Sequence, residues 1–350
     1  MKKFIILILV LIMTLSMASC SKKVEKEQFK AYFFDWFDTA TVITGYEETK
    51  DDFDKVVKEI ETIFAKYHKL YDIYTKYDGV NNLAVINDKS SGIHSTVKVE
   101  PEIIDLLELS FEMNRLTNGK FNIAMGSVLS IWHTYRELGM AEPENAELPP
   151  IEDLKDAYLH SDINDIKIDK ENQTVFLADD RMTLDVGAIA KGYACEQAAK
   201  HLEQMGVTGY VINAGGNIRS IGTKPNDEPW VVGIENPDTS DEENPYIAYL
   251  ELNGQALVTS GNYQRYYTVN GKNYHHIIDP ETLMPSERYL SVSVLSYDSG
   301  MADALSTALF NMTQEEGLEI IKGLKDVEAQ WVLPSGEIVR SDGFQNYISE

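Results

Sequence analysis

Between residues 51 and 71 the chain places Phe53, Val56, Val57, Ile60, Ile63, Phe64, Tyr67 and Leu70 three and four positions apart. That spacing follows the turn of an α-helix and predicts one continuous apolar face about six turns long. A face of that length is stable only against another apolar layer, so the rest of the chain must supply one. Residues 31–46, with Phe33, Trp36, Val42 and Ile43 among polar neighbours, read as strand. So do 210–212, 230–234, 247–252 and 289–295, while 329–333 and 338–340 read as a hairpin around Pro334-Ser335-Gly336.

Further helices are expected from Pro101 to just before Gly119, from 188 to 205 ahead of Gly206, and from 300 to 311. Thr313 and Glu316 form a capping-box pattern for one more. Asn253-Gly254 and Asn270-Gly271 are hairpin signals between strand-like runs. Residues 139–165, acidic and carrying Pro143, Pro149 and Pro150, read as a surface excursion. Strands and helices mix without βαβ alternation, so the expected class is α+β, with mixed or antiparallel sheets and packed helices.

The first residues announce export. Met1-Lys2-Lys3 precedes an apolar run, 4–15, too short to span a bilayer, where roughly eighteen residues are needed, and suited to a signal peptide. It ends in Ser16-Met17-Ala18-Ser19-Cys20, small residues before a cysteine, as in a bacterial lipobox. An ordinary signal peptide cut near Ser19 is the alternative, because Met17 stands where a lipobox commonly has Leu. The expected organisation is a signal peptide over 1–19, a polar tether over 20–30 leading from a lipid on Cys20, and one domain over 31–350. Localisation would then be the cell membrane, on its extracytoplasmic face. Cys195 is the one other cysteine, which argues against an internal disulfide and for a small core residue on its helix.

The net charge is −25, and cleavage that removes Lys2 and Lys3 leaves about −27. No basic stripe offsets this, so nucleic acid is excluded as a partner. A phosphorylated ligand would need a cation to help hold it.

Several constellations are able to carry chemistry. Asp303 and Thr307 lie one helical turn apart and offer hard oxygens to Mg²⁺ or Ca²⁺, with Ser306 close behind. Taken alone, the pair reads more simply as a helix start with Asp303 on the dipole and Thr307 bonded back to a carbonyl. In Leu184-Asp185-Val186-Gly187-Ala188-Ile189-Ala190-Lys191-Gly192-Tyr193, small residues open a helix behind a carboxylate. There a carbonyl could meet a metal and Lys191 a phosphate, or the segment is a tightly packed helix start with a surface lysine. Adjacent His275 and His276 point to opposite faces of a strand, so at most one serves a given site. Of the two, His276 suits a base or a phosphate donor. Asn213-Ala214-Gly215-Gly216-Asn217 marks a sharp turn, with no dinucleotide fingerprint behind it. Phosphate-loop lysine, G-x-S-x-G, H-E-x-x-H and zinc spacings do not occur.

The order of these segments is more telling than any one of them. Thr117-Asn118-Gly119-Lys120-Phe121-Asn122, the 184–193 stretch, Asn213-Ala214-Gly215-Gly216-Asn217-Ile218, Thr259-Ser260-Gly261, His276-Ile277-Ile278-Asp279-Pro280 and 302–308 follow one another as in the ApbE-like family. The chain resembles that family, also called FAD:protein FMN transferases, over about residues 32–345. The resemblance implies two intertwined subdomains, FAD as substrate and a Mg²⁺ ion held by the Ala188 carbonyl, Asp303 and Thr307. Ser306 stands where some members have Asp, which leaves a fourth protein ligand open.

By the same resemblance Asp185, Lys191 and Ile277 match flavin-nucleotide contacts. Lys120, Phe121 and Asn122 match a further FAD-contacting stretch, Phe37 matches an apolar wall, and Tyr77 (or Tyr74, if the register slips) matches a ring that packs on the ligand. The implied reaction transfers FMN from FAD to a Thr or Ser hydroxyl of an acceptor flavoprotein subunit of a membrane electron-transport complex, releasing AMP. His276 is the first candidate to assist the hydroxyl and Asp185 the second. An FAD pyrophosphatase and a flavin-binding lipoprotein are the competing expectations. Regular βαβ lobes, usual in solute-binding lipoproteins, are not seen here.

Overall fold

A computed structural model describes residues 25–88 and 95–349. Cys20, the signal-peptide segment and the first part of the tether, 20–24, lie outside the described residues. The chain runs through β1 (Glu27–Phe33), β2 (Thr41–Glu47), α1 (Lys50–Tyr71), the short α2 (Leu83–Ile86), β3 (Val97–Lys98), α3 (Pro101–Leu116), α4 (Gly126–Ala141) and α5 (Ile151–Tyr158). It continues with β4 (Ile166–Asp169), β5 (Thr174–Leu177), α6 (Ala190–Gln204), β6 (Tyr210–Ala214), β7 (Asn217–Ile221), β8 (Trp230–Glu235), β9 (Tyr246–Leu252) and β10 (Ala256–Gly261). It closes with β11 (Tyr266–Val269), β12 (Lys272–His275), β13 (Ser291–Ser296), α7 (Ser299–Phe310), α8 (Gln314–Gly323), β14 (Glu328–Val332) and β15 (Ile338–Arg340).

The layer that α1 demands is an eight-stranded sheet in the order β1-β2-β6-β7-β10-β13-β14-β15, each neighbour antiparallel. Phe53, Ile60 and Phe64 of α1 pack with Ile43, Tyr210 and Ile212 of the sheet and with Cys195 and Leu202 of α6. The β8–β9 ribbon covers Val211, Leu257 and Leu295 on the opposite face. A second, smaller core joins α4 and α5 to β11 and the 278–283 turn, through Val128, Trp132, Leu154, Tyr267, Ile278 and Leu283. Chain from 125–157 and from 267–283 meets there, so the two cores are threaded through one another. The class is α+β, as expected.

Four local readings change. The strand expected over 31–46 is a hairpin whose turn holds Phe37 and Asp38 in left-handed backbone (φ 56° and 49°). Its first strand takes residues 27–30, so the polar tether is shorter than expected. The 139–165 excursion contains α5, whose Leu154 and Ala157 are buried; Pro149 and Pro150 precede that helix and do not break it. Asn253-Gly254 joins β9 to β10, which lie in different sheets, so it turns a corner between layers without making a hairpin. By contrast Asn270-Gly271 closes the β11–β12 hairpin with both residues at positive φ (51° and 79°).

Candidate active site

The floor of the site is the crossing of α6 and α7. A side chain at Gly192 would put its first carbon 2.2 Å from the Ser299 carbonyl oxygen and 2.5 Å from Asp303 Cβ, so only glycine allows this approach. The Gly192 amide donates to Asp303 Oδ2 at 2.8 Å. In an uninterrupted helix that amide would donate to the carbonyl four residues back, Ala188. Its diversion leaves the Ala188 carbonyl without a hydrogen-bond partner among the described residues. Asp303 is 4% exposed, and its other oxygen accepts no hydrogen bond there. The Thr307 hydroxyl is likewise without a partner among the described residues, against the expected back-bond to a carbonyl.

Ser306 is different. Its hydroxyl donates to the Asp303 carbonyl (2.9 Å) and meets Ser260 Oγ (2.8 Å), so it ties the β10 motif to α7 and is spent on the fold. The floor therefore leaves three hard oxygens undonated, those of Ala188, Asp303 and Thr307. This donor set suits Mg²⁺ or Ca²⁺ and not zinc. Among the described residues no three His, Cys, Asp or Glu side chains gather as a metal cluster, so any ion here would depend on the carbonyl and hydroxyl.

Asp185 enters the site on a segment whose backbone is tied at Leu184 and at its own amide. Asn87 brackets Leu184 with its side-chain amide (2.9 and 2.8 Å), and the Asp185 amide donates to the Ile123 carbonyl (2.9 Å). Its Oδ1 accepts the Gly187 amide at 2.8 Å. Burial raises the Asp185 pKa, against the pull of that amide and of His133, Lys191 and Arg136. Lys191, the second residue of α6, reaches only the Gly187 carbonyl (3.5 Å) and makes no ion pair among the described residues.

His276 lies just past β12, where its amide and its Nδ1 both approach the Arg265 carbonyl (3.1 and 3.3 Å). A carbonyl only accepts, so Nδ1 carries the proton and Nε2 is left bare. The ring is open at its edge yet set among protein atoms. That desolvation, followed by the Arg265 charge, His275 and Lys191, lowers its pKa and keeps the imidazole neutral. His275 faces the other way, buried, with Nε2 on the Ser286 carbonyl (2.7 Å).

The rim comes from the β1–β2 turn and the loop after α1. Arg265 donates to the Asp38 carbonyl (3.1 Å). Thr39 occupies the space a side chain on Gly215 would need (2.0 Å to Thr39 Oγ1), so the Asn213–Asn217 turn seats the Phe37 loop. Phe37 turns its ring onto Phe64 and His68. Tyr77 donates its hydroxyl to Asp72 (2.8 Å) and is half-buried, whereas Tyr74 is 67% exposed and rests on His133 (ring centroids 5.5 Å apart).

The 120–122 stretch is arranged for the fold through its side chains. Lys120 is 9% exposed and paired with Asp279 (3.3 Å) and Glu281 (2.9 Å). Phe121 is buried at 2% exposure, and Asn122 bonds the Ser161 carbonyl and the Ala124 amide (both 2.9 Å). Ile277 is also buried, with its amide on His275 Nδ1 (3.2 Å). The structure thus gathers Asp185, Lys191 and His276 around the cleft, and Ala188, Asp303 and Thr307 at the α6–α7 crossing. Phe121 and Ile277 stand behind that cleft as packing. Sequence reasoning missed α4, which brings His133 and Arg136 beside Asp185. The signal was present as Val128, Trp132 and Tyr135 at helical spacing, in a stretch without a motif.

The chain as a whole is similar to several known proteins. An FAD:protein FMN transferase of Haemophilus influenzae is 28% identical over 327 residues, 91% of this chain and 90% of that protein. One of Klebsiella pneumoniae is 29% identical over 280 residues, covering 80% and 83% respectively. The crystal structure of the ApbE protein of Thermotoga maritima superposes with a TM-score of 0.79 at 28% identity, covering 93% of this chain and all of that one. A flavin transferase structure from Vibrio cholerae, 23% identical with a TM-score of 0.76, shares the fold. Residues 37–331 match the profile of the ApbE family, to which this chain belongs.

Proposed function

We propose that this chain is a Mg²⁺-dependent FAD:protein FMN transferase. The observation that carries this reading is the oxygen set freed at the α6–α7 crossing, together with a neutral histidine and a lysine that makes no ion pair among the described residues. The names of the relatives support the same chemistry.

Ala188, Asp303 and Thr307 would hold Mg²⁺, which supplies charge neutralisation for pyrophosphate oxygens. Lys191 adds a fixed positive charge beside them, which a chain of net charge −25 otherwise lacks. The acceptor's Thr or Ser oxygen bonds to the FMN-side phosphorus, and the bond from that phosphorus to the bridging oxygen breaks, so AMP departs with that oxygen. His276 Nε2 receives the hydroxyl proton, because it is bare, neutral and open to the cleft. Asp185 is the second candidate for that proton, its carboxylate made more basic by burial. Little covalent work falls to the enzyme, and positioning supplies most of the rate.

A lipid on Cys20 would hold the enzyme at the extracytoplasmic face of the cell membrane, near acceptor subunits of electron-transport complexes. The cysteine after Ser16-Met17-Ala18-Ser19 supports this reading. Mass spectrometry of the mature N-terminus tests it, with a diacylglyceryl thioether on Cys20 expected.

The decisive assay incubates the mature protein with FAD, Mg²⁺ and a candidate flavin-carrying subunit. Flavin fluorescence that stays with the denatured acceptor, with one AMP per flavin attached, is expected. Release of free FMN alone, in the presence of an acceptor another transferase can label, overturns the transferase and leaves a pyrophosphatase.

A further inference from the structure

We infer that Arg136 of α4, braced by His133, is a phosphate-binding residue of the nucleotide cleft, taking phosphoryl oxygens with its planar guanidinium. The inference rests on the nucleotide site proposed above, but not on the transfer reaction itself.

Three observations carry it. The first is mounting. The Gly126 amide at the start of α4 bonds the Thr183 carbonyl (3.1 Å), two residues before Asp185. In the middle of the helix, Trp132 Nε1 donates to the Leu283 carbonyl (2.9 Å). Near its end, Gly139 lies directly against the Tyr267 ring. The helix is fixed at three points, so the groups it presents at 133 and 136 have a defined position.

The second is partnership. Arg136 Nη2 sits 2.7 Å from His133 Nδ1, which must accept because guanidinium only donates. Its nearest carboxylate oxygen is that of Glu137 at 3.9 Å, on a side chain 59% exposed. In a chain with 56 acidic residues against 31 basic ones, a guanidinium only 20% exposed and without a close carboxylate is unusual. The contrast with Arg219, buried on Glu196 at 2.9 Å, and Arg181, bonded to Asp156, shows that this fold can pair its arginines.

The third is direction. Arg136 is held by His133, whose ring lies against Tyr74 at the rim (ring centroids 5.5 Å apart), and its charge reaches the Asp185 carboxylate, which places it on the side of α4 that faces Asp185. Lys191 acts on the same Asp185 carboxylate and makes no ion pair among the described residues, so two cations flank one carboxylate and leave positive charge in excess there. A multiply charged anion meets that arrangement, and the forked guanidinium selects phosphoryl oxygens over a point anion.

The test is equilibrium binding of FAD, FMN, AMP and riboflavin to the full mature protein and to Arg136→Gln and Arg136→Lys, each with Mg²⁺. The expected result for Arg136→Gln is at least tenfold weaker binding of FAD, with riboflavin, which has no phosphate, unchanged within twofold. Arg136→Lys should lose less, because the charge remains and only the fork is gone. A larger loss for AMP assigns Arg136 to the AMP phosphate, and a larger loss for FMN assigns it to the FMN phosphate. Unchanged FAD binding overturns the inference, as does an equal loss for FAD and riboflavin, which would mean that Arg136 only shapes the wall. If wild type binds AMP but attaches no FMN to any acceptor, the transferase reading fails. A selective loss of AMP in Arg136→Gln still upholds the phosphate site in that case.

Discussion

The floor and the rim of the cleft are built on opposite principles. At the floor, Gly192, Asp303 and Ser306 are buried and bonded to one another and to Ser260, while the Ala188 carbonyl, the second Asp303 oxygen, the Thr307 hydroxyl and the buried Ser299 hydroxyl have no partner among the described residues. At the rim, Lys191, Arg136, Arg265 and His276 have carbonyls or a neighbouring imidazole for partners where carboxylates would be ordinary. The floor fixes geometry through a few internal bonds and keeps oxygens available; the rim keeps positive charge available. Burying a charge without a partner costs several kcal/mol, so the cations stand at the edge, and the one buried carboxylate, Asp303, is held by the Gly192 amide. The difference teaches where substitutions should act on stability and where on turnover.

The sharpest way to break this contrast is Asp303→Asn. The amide oxygen still accepts from Gly192, so the floor should stay folded while the charge is lost. AMP release from FAD should fall by about 10³-fold with the melting temperature within a few degrees. Full activity would remove Asp303 from the metal assignment. His276→Asn, at the rim, should lower transfer by about 10²-fold through loss of the proton acceptor, with FAD binding kept. Parallel loss of binding would make His276 a ligand contact instead of a base. Gly192→Ala attacks the floor alone and should cost about 2–3 kcal/mol in denaturant unfolding, since the new carbon overlaps Ser299 and Asp303. A neutral result would mean that α6 and α7 can part.

The smallest effect separates the two adjacent histidines. Burial holds the His275 pKa below its ordinary value, while the Ser286 carbonyl and Glu287 pull the other way. The unfolded chain takes up a proton near pH 6.5 that the folded chain refuses. Stability from this residue is therefore complete above pH 6.5 and is lost as pH falls toward the folded value. His275→Gln, which can still donate to Ser286, should make thermal stability less sensitive to pH between 7 and 5, by up to about 1 kcal/mol. Equal sensitivity in both proteins would place the acid-labile groups elsewhere.

Much of this was legible in the chain. The α1 face, the small-residue start of α6, the Asn270-Gly271 hairpin and the capping box at Thr313 all act through local backbone chemistry, and each stands where expected. What resisted reading depends on tertiary context. Asn253-Gly254 has hairpin chemistry, but the following strand finds better partners in β7 and β13 than in β9. The acidic stretch near 151 hid a helix because only Leu154 and Ala157 face inward. Among the site residues, motif order located the cleft, yet nothing local told that Lys120 is neutralised by Asp279, or that Arg136, far from any motif, has only a long contact with the exposed Glu137.

The diverted amide of Gly192 has one more consequence. A proton shared between a backbone nitrogen on one helix and a carboxylate on the next will report on that carboxylate's occupation. Its amide resonance and its exchange with solvent deuterium should shift when a cation draws on Asp303, and should remain still when a ligand touches only the outer edge. The molecule thus carries its own label at the one atom where helix continuity was given up, readable by NMR without adding a probe.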